Sequence, residues 1–209
     1  MSPTRWQKQF IIGIVLLASL TVCACDKSPA ISALPQGAVI LAFGDSLTFG
    51  TGAPTGRSYP DILSGLLNRP VINAGVPGEI SAAGMARLPR LLAKHQPALV
   101  ILCHGGNDFL RRTDPALVEK NLRAMIEMTR ATGAEVLLIG VPALGLTVST
   151  HPLYSQLAEN LSTPLNDEIV ETLLRDRSLK SDAIHPNAQG YRLMAEAISR
   201  QIPVLPITP

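Results

Sequence analysis

The sequence predicts an α/β fold, a three-layer sandwich with helices on both faces of a mostly parallel, doubly wound sheet. Three observations carry this. Short apolar runs alternate along the chain with longer segments of helical periodicity, a βαβαβαβ order. The first and third runs are apolar throughout instead of alternating, as strands buried on both faces are. The first three runs each end in a Gly-containing turn that carries or leads into polar groups: Gly44-Asp45-Ser46, Gly75-Val76-Pro77-Gly78 and Gly105-Gly106-Asn107-Asp108. In a parallel sheet all three ends share one rim, where ligands bind.

Taken in order, the first strand is residues 38–43, followed by a Gly-rich loop from Phe49 to Ser58. A helix over 59–68 repeats Ile62, Leu63, Leu66 and Leu67 at helical spacing and tolerates Pro60 in its first turn. Val71 to Val76 is the second strand and its exit. A helix over 81–95 places Met85, Leu88, Leu91 and Leu92 on one face, and Pro89 is expected to kink or split it. The third strand is 98–103. Asp114 caps a long helix over 115–132 that Gly133 closes. The fourth strand covers 135–141. A loop to Pro152, a helix over 154–160, a short fifth strand over 163–166, a helix over 167–175 and a closing helix over 187–201 complete the chain.

The 209 residues are 46% hydrophobic and 16% charged, a globular composition with room for one core. Arg5 and Lys8 account for the whole formal charge of +2; residues 25–209 hold 16 basic and 16 acidic groups. No basic stripe with interleaved aromatics is present, so nucleic acid is set aside as a partner. The basic start to Gln9, the apolar stretch from Phe10 to Val22 and the small residues before Cys25 read as an export signal over 1–24. The apolar stretch is short for a bilayer span of about 20 residues, which favours cleavage over an uncleaved anchor. A Pro-, Ser- and Ala-rich tether over 25–37 then leads to a domain over 38–209. Cys103 stands alone in the globular part, so no disulfide framework is expected there; it reads as a buried, inert thiol.

The chemistry starts at Ser46, just past the first strand. Alone, Asp45 or Ser46 would be read as the cap of a strand-to-helix turn. A nucleophilic serine needs a base, best an imidazole held by a carboxylate. Asp182 and His185, three apart with Pro186 stiffening the turn, supply such a pair just before the last helix. No G-x-S-x-G elbow is present, which counts against an ordinary α/β-hydrolase.

Gly44-Asp45-Ser46-Leu47, the turn ending in Gly78, Gly105-Gly106-Asn107-Asp108 and Asp182-x-x-His185 resemble, in order, the blocks of the GDSL/SGNH hydrolase family. The nearest resemblance is to its bacterial lysophospholipase-like and arylesterase branch, over about residues 38–200. It implies a flavodoxin-like SGNH hydrolase sheet and a serine esterase for carboxylic esters, thioesters or lysophospholipids. It also implies Ser46 as nucleophile, His185 as general base and then acid, and Asp182 as its orienting partner. The oxyanion donors it implies are the Ser46 and Gly78 backbone N–H groups and the Asn107 side-chain amide, each worth about 3 kcal/mol of barrier. The chain departs from the branch at Pro77-Gly78-Glu79-Ile80, where Ser-Gly-x-Thr is common, at Ala183 in place of Gly, and at His104 in place of an aliphatic residue. Leu20-Thr21-Val22-Cys23-Ala24-Cys25 resembles a bacterial lipobox, which implies lipidation of Cys25 and a membrane-anchored place in the cell envelope or periplasm; the alternative is a soluble periplasmic or secreted enzyme.

Other residues are expected to be structural. His104 reads as a strand-end imidazole with a local hydrogen bond, with pocket lining as the alternative. His95 reads as a helix-end cation, His151 as a surface residue near the acyl pocket, and Arg111 and Arg112 as solvated. Asp45 and Asp108 read as loop braces. No metal constellation and no phosphate loop is found, so no cofactor is expected. Two rivals remain: an O-acetyl esterase or acyltransferase acting on cell-envelope glycans, and a non-catalytic flavodoxin-like binding protein for FMN.

Overall fold

The computed structural model describes residues 29–143 and 148–206. The export signal over 1–24 and Cys25 lie outside the described residues. Five parallel strands form the central sheet: β1 (Ile40–Gly44), β2 (Val71–Gly75), β3 (Leu99–Cys103), β4 (Glu135–Ile139) and β7 (Leu165–Asn166), in the spatial order β2-β1-β3-β4-β7. The expected fifth strand is real but only two residues long, pairing Leu165 and Asn166 with Leu138 and Ile139. β1 and β3 are buried at every position, which explains their unbroken apolar composition.

Helices α2 (Tyr59–Leu67) and α8 (Ala188–Ser199) pack together, with α7 (Ile169–Arg175) beside α8. Another group joins α3 (Ser81–His95) to α5 (Pro115–Ala131), and α5 to α6 (Leu153–Asn160). The long helices carry the expected chemistry at their ends. Ser58 and Asp61 form a reciprocal capping box on α2, Asp114 accepts from the Ala116 N–H at 3.0 Å, and Asn187 Oδ1 accepts from Gln189 and Gly190. Of the expected kink or split at Pro89, the split does not occur: α3 runs as one helix through it. Pro89 sits on the solvent face while Leu88 and Leu92 are buried, so the carbonyl it leaves free can be served by water and the helix absorbs the ring.

Two short elements were not expected: α4 (Gly106–Leu110) and a 3-10 turn at Arg177–Leu179; α1 (Ser46–Phe49) is the short helix that the strand-to-helix reading of Asp45 allowed. The loop after β4 also contains an antiparallel pair, β5 (Pro142–Ala143) with β6 (Ser149–Thr150). The tether expected over 25–37 is packed in its second half. Ile31 and Leu34 join the core, Leu34 bonds to Pro203 and Leu205 through the main chain, and Arg69 donates to the carbonyls of Pro35 and Leu205. The folded body therefore begins before Ala38. No helix among the described residues is long and apolar enough to cross a membrane.

Gly44 shows how tightly β1 delivers the chain to the rim. A Cβ there would meet the Cys103 carbonyl oxygen inside contact distance, as well as the Thr48 hydroxyl. The first obstacle is strand backbone, which cannot step aside. Gly44→Ala is expected to cost about 3 kcal/mol, the upper end for overpacking, read as a lower melting temperature.

Candidate active site

The structure brings together Ser46, His185 and Asp182. β1 ends at Gly44, and Asp45 caps α1 by accepting from the Leu47 N–H at 3.0 Å, so Ser46 is the first helical residue. Its own N–H therefore has no intrahelical acceptor. His185 comes from a tight turn: the Ser181 N–H bonds to the His185 carbonyl at 2.9 Å, and the Asn187 amide group ties the turn to Ser178 and Lys180. His185 Nε2 stands 3.0 Å from Ser46 Oγ, and its Nδ1 stands 2.7 Å from Asp182 Oδ2. A carboxylate only accepts, so Nδ1 carries the hydrogen and the Nε2 lone pair faces the serine hydroxyl.

The other carboxylate oxygen, Asp182 Oδ1, accepts from the backbone N–H groups of Ile184 and His185, both at 2.9 Å. Its slight burial works to raise the pKa. The bonds from the His185 ring and the two N–H groups outweigh this and hold Asp182 below its ordinary value. Asp182 is half exposed, whereas the His185 side chain is 14% exposed.

Gly78 and Asn107 lie beside this group. Val76-Pro77-Gly78-Glu79 closes with a Glu79 N–H bond to the Val76 carbonyl at 3.1 Å, and Gly78 has φ +76°. That is the pattern of a type II turn, which wants Pro second and a residue of positive φ third; it accounts for the Pro-Gly departure. Among the described residues the Gly78 N–H meets no acceptor. Asn107 Nδ2 donates to the Glu79 carbonyl at 3.0 Å and to Asp45 Oδ2 at 3.2 Å. An incoming oxyanion must take over one of these bonds, and the longer one, to Asp45, is the easier to give up.

The expected braces hold. Asp108, 1% exposed, accepts from both the N–H and the hydroxyl of Ser81, at 2.8 and 2.7 Å. It thereby caps α3 from outside, since Ile80 offers no capping side chain. Burial raises the Asp45 carboxyl despite the nearby histidines. Cys103 is buried and free, and burial pushes its thiol well up. Arg111 is exposed as expected but also donates to the Gly78 carbonyl at 3.1 Å. His104 is the strand-end imidazole with a hydrogen bond that was expected, and the pocket-lining alternative falls: it is wholly buried beneath α3, with Nε2 3.1 Å from Glu79 Oε2. His151 stacks on Phe109 at 4.7 Å and accepts from the Leu153 N–H at 3.2 Å, and burial lowers its pKa.

Sequence reasoning missed Glu79 and Arg87. Burial pushes Glu79 up, but hydrogen bonds from His104 and Arg87 outweigh it and hold the carboxyl below its usual range. The only signal was an acid and an arginine flanking the start of one helix, too common a pattern to single out.

A pocket of about 40 Å³ opens beside Ser46, Asn107 and His185, with apolar walls from Leu47, Val141, Pro142, Leu174 and Ile184. A larger hollow of about 1090 Å³ lies among Ile31, Arg130, Glu135, Pro164 and Gln201, at the opposite ends of the strands. It holds none of the Ser46, Asp182 and His185 groups, so chemistry rather than size locates the site.

A hydroxyl, an imidazole and a carboxylate in line at the carboxyl rim of a parallel sheet define the serine hydrolase class. The chain belongs to the GDSL-like lipase/acylhydrolase family, whose model matches residues 42–193. It is 33% identical over 206 residues to thioesterase 1/protease 1/lysophospholipase L1 of Escherichia coli K12, covering 95% of this chain and 92% of that protein. It is 30% identical over 201 residues to an arylesterase of Vibrio mimicus, covering 90% and 98%. The crystal structure of TesA superposes with a TM-score of 0.70 at 31% identity, covering 78% of this chain and 97% of that one.

Proposed function

We propose that this chain is a serine esterase that hydrolyses carboxylic esters, thioesters or lysophospholipids through an acyl-enzyme on Ser46. The observation that carries the reading is the 3.0 Å approach of His185 Nε2 to Ser46 Oγ while Asp182 holds Nδ1 at 2.7 Å. Ser46 Oγ attacks the carbonyl carbon as His185 Nε2 takes the hydroxyl proton. The negative charge gathers on the former carbonyl oxygen, where the N–H groups of Ser46 and Gly78 and the Asn107 amide receive it. Collapse breaks the bond to the alcohol or thiol, which leaves with the proton from His185. Water then repeats the sequence on the acyl-enzyme, releasing the acid and restoring Ser46. The relatives named as thioesterase, lysophospholipase and arylesterase support this range of acyl substrates. The export signal and lipobox support a cell-envelope location with Cys25 lipidated.

The apolar pocket of about 40 Å³ accommodates a short acyl group; longer chains must run out along the rim. A p-nitrophenyl ester series from acetate to palmitate, assayed with the full-length chain, is expected to turn over acetate to butyrate faster than palmitate. No turnover of any ester by the folded protein would overturn the esterase reading.

A further inference from the structure

Glu79 follows Gly78 and closes the turn, yet its side chain points inward and is 7% exposed. Oε1 accepts from Arg87 Nε at 2.9 Å and Oε2 from Arg87 Nη2 at 2.6 Å, a two-pronged grip. His104 Nε2 reaches the same Oε2 at 3.1 Å, and since the carboxylate only accepts, Nε2 carries the hydrogen. His104 Nδ1 is the only buried side-chain polar atom without a partner among the described residues. Arg87 is itself fixed: it donates to the Ala74 carbonyl at 3.0 Å and lies over the Phe43 ring at 4.3 Å. The ends of β1, β2 and β3 therefore all bear on one carboxylate, through Phe43, Ala74 and His104.

The main chain of Glu79 faces the other way, and its carbonyl accepts from Asn107 Nδ2 at 3.0 Å. We infer that Glu79 is a positioning residue for the oxyanion hole. Arg87 and His104 clamp its side chain, the clamp fixes where its carbonyl stands, and the carbonyl aims the Asn107 amide. The inference rests on the acyl-transfer reading above. A salt bridge kept only for stability would not need its backbone bonded to a candidate catalytic amide. Glu79→Gln is a sharp probe because every prong of the clamp is a donor. Whichever way the new amide turns, its NH₂ meets an Arg87 N–H, so the side chain must shift and the carbonyl shifts with it.

The test is a cycle of wild type, Glu79→Gln, Asn107→Ala and the double variant, as full-length chains with p-nitrophenyl butyrate. Asn107→Ala is expected to lower kcat about 10²–10³-fold. Glu79→Gln is expected to lower kcat about tenfold, within what a misplaced group can cost, and to leave KM unchanged. In the double variant the loss should match Asn107→Ala alone to about a factor of two, because the amide that Glu79 aims is gone. Losses that multiply in full, or wild-type kcat in Glu79→Gln, overturn the inference. Wild-type kcat in Asn107→Ala overturns the oxyanion reading itself and takes this inference with it. If Glu79→Gln melts below the assay temperature, Arg87→Met removes the clamp from the helix side and goes through the same cycle, with the same outcomes deciding.

Discussion

Ser46→Ala is expected to lose about six orders of magnitude in kcat, the size of loss seen when a nucleophile acting as a unit with its base is removed. The fold should survive the change. Ser46 Oγ has one partner, His185 Nε2, while α1 is capped by Asp45, and the β1 register with β2 and β3 does not involve the hydroxyl. An unchanged melting temperature with turnover lost locates the chemistry at this oxygen. A variant retaining even a hundredth of the wild-type kcat would mean that another group makes the acyl intermediate.

Asp182→Asn should cost about 10⁴-fold in kcat, by a route that the hydrogen bonds specify in advance. Two backbone N–H groups point at the Oδ1 position, so the new amide must place its carbonyl oxygen there. Its NH₂ is then forced against His185 Nδ1, which must turn into an acceptor. The hydrogen moves to Nε2, and the lone pair that should take the serine proton is gone. In the wild type the lowered Asp182 carboxyl stays ionised throughout the neutral range, so this failure is absent there. Nuclear magnetic resonance of the imidazole hydrogens would show the exchanged tautomer directly. An active Asp182→Asn enzyme would show that orientation by the carboxylate is dispensable.

The strands and long helices were legible because each carries a long periodic signal, and the Ser46, Asp182 and His185 set because sheet topology collects separate motifs at one rim. What escaped reading was made by contacts between distant segments. α4 is a single turn whose residues show no periodicity, started instead at the Gly105 N-cap. Pro89 misled because sequence does not say which face meets solvent. Glu79 and Arg87 are eight apart, and only the fold, which lays Gly84 of α3 over His104, reveals that Arg87 and His104 converge on Glu79. Arg111 looked solvated because nothing local announces that the Gly78 carbonyl lies within its reach. The 31–37 segment resembled a tether by composition; Leu34 found its main-chain partners, Pro203 and Leu205, more than 160 residues away at the far end of the chain.

That closure of the two chain ends also sets a direction. Ser32 bonds to Glu135 at the entrance of β4, and Leu34 pairs beside Val204 below the start of β1, whereas Ser46 stands where β1 exits. The first described residues therefore lie at the pole opposite the rim. Five residues stand between Cys25 and Ile31, a reach of at most about 22 Å. A lipid carried at Cys25 would hold the body foot-down with its mouth turned outward. Acyl groups arriving from the aqueous side would then reach Ser46 more readily than those of the bilayer underfoot.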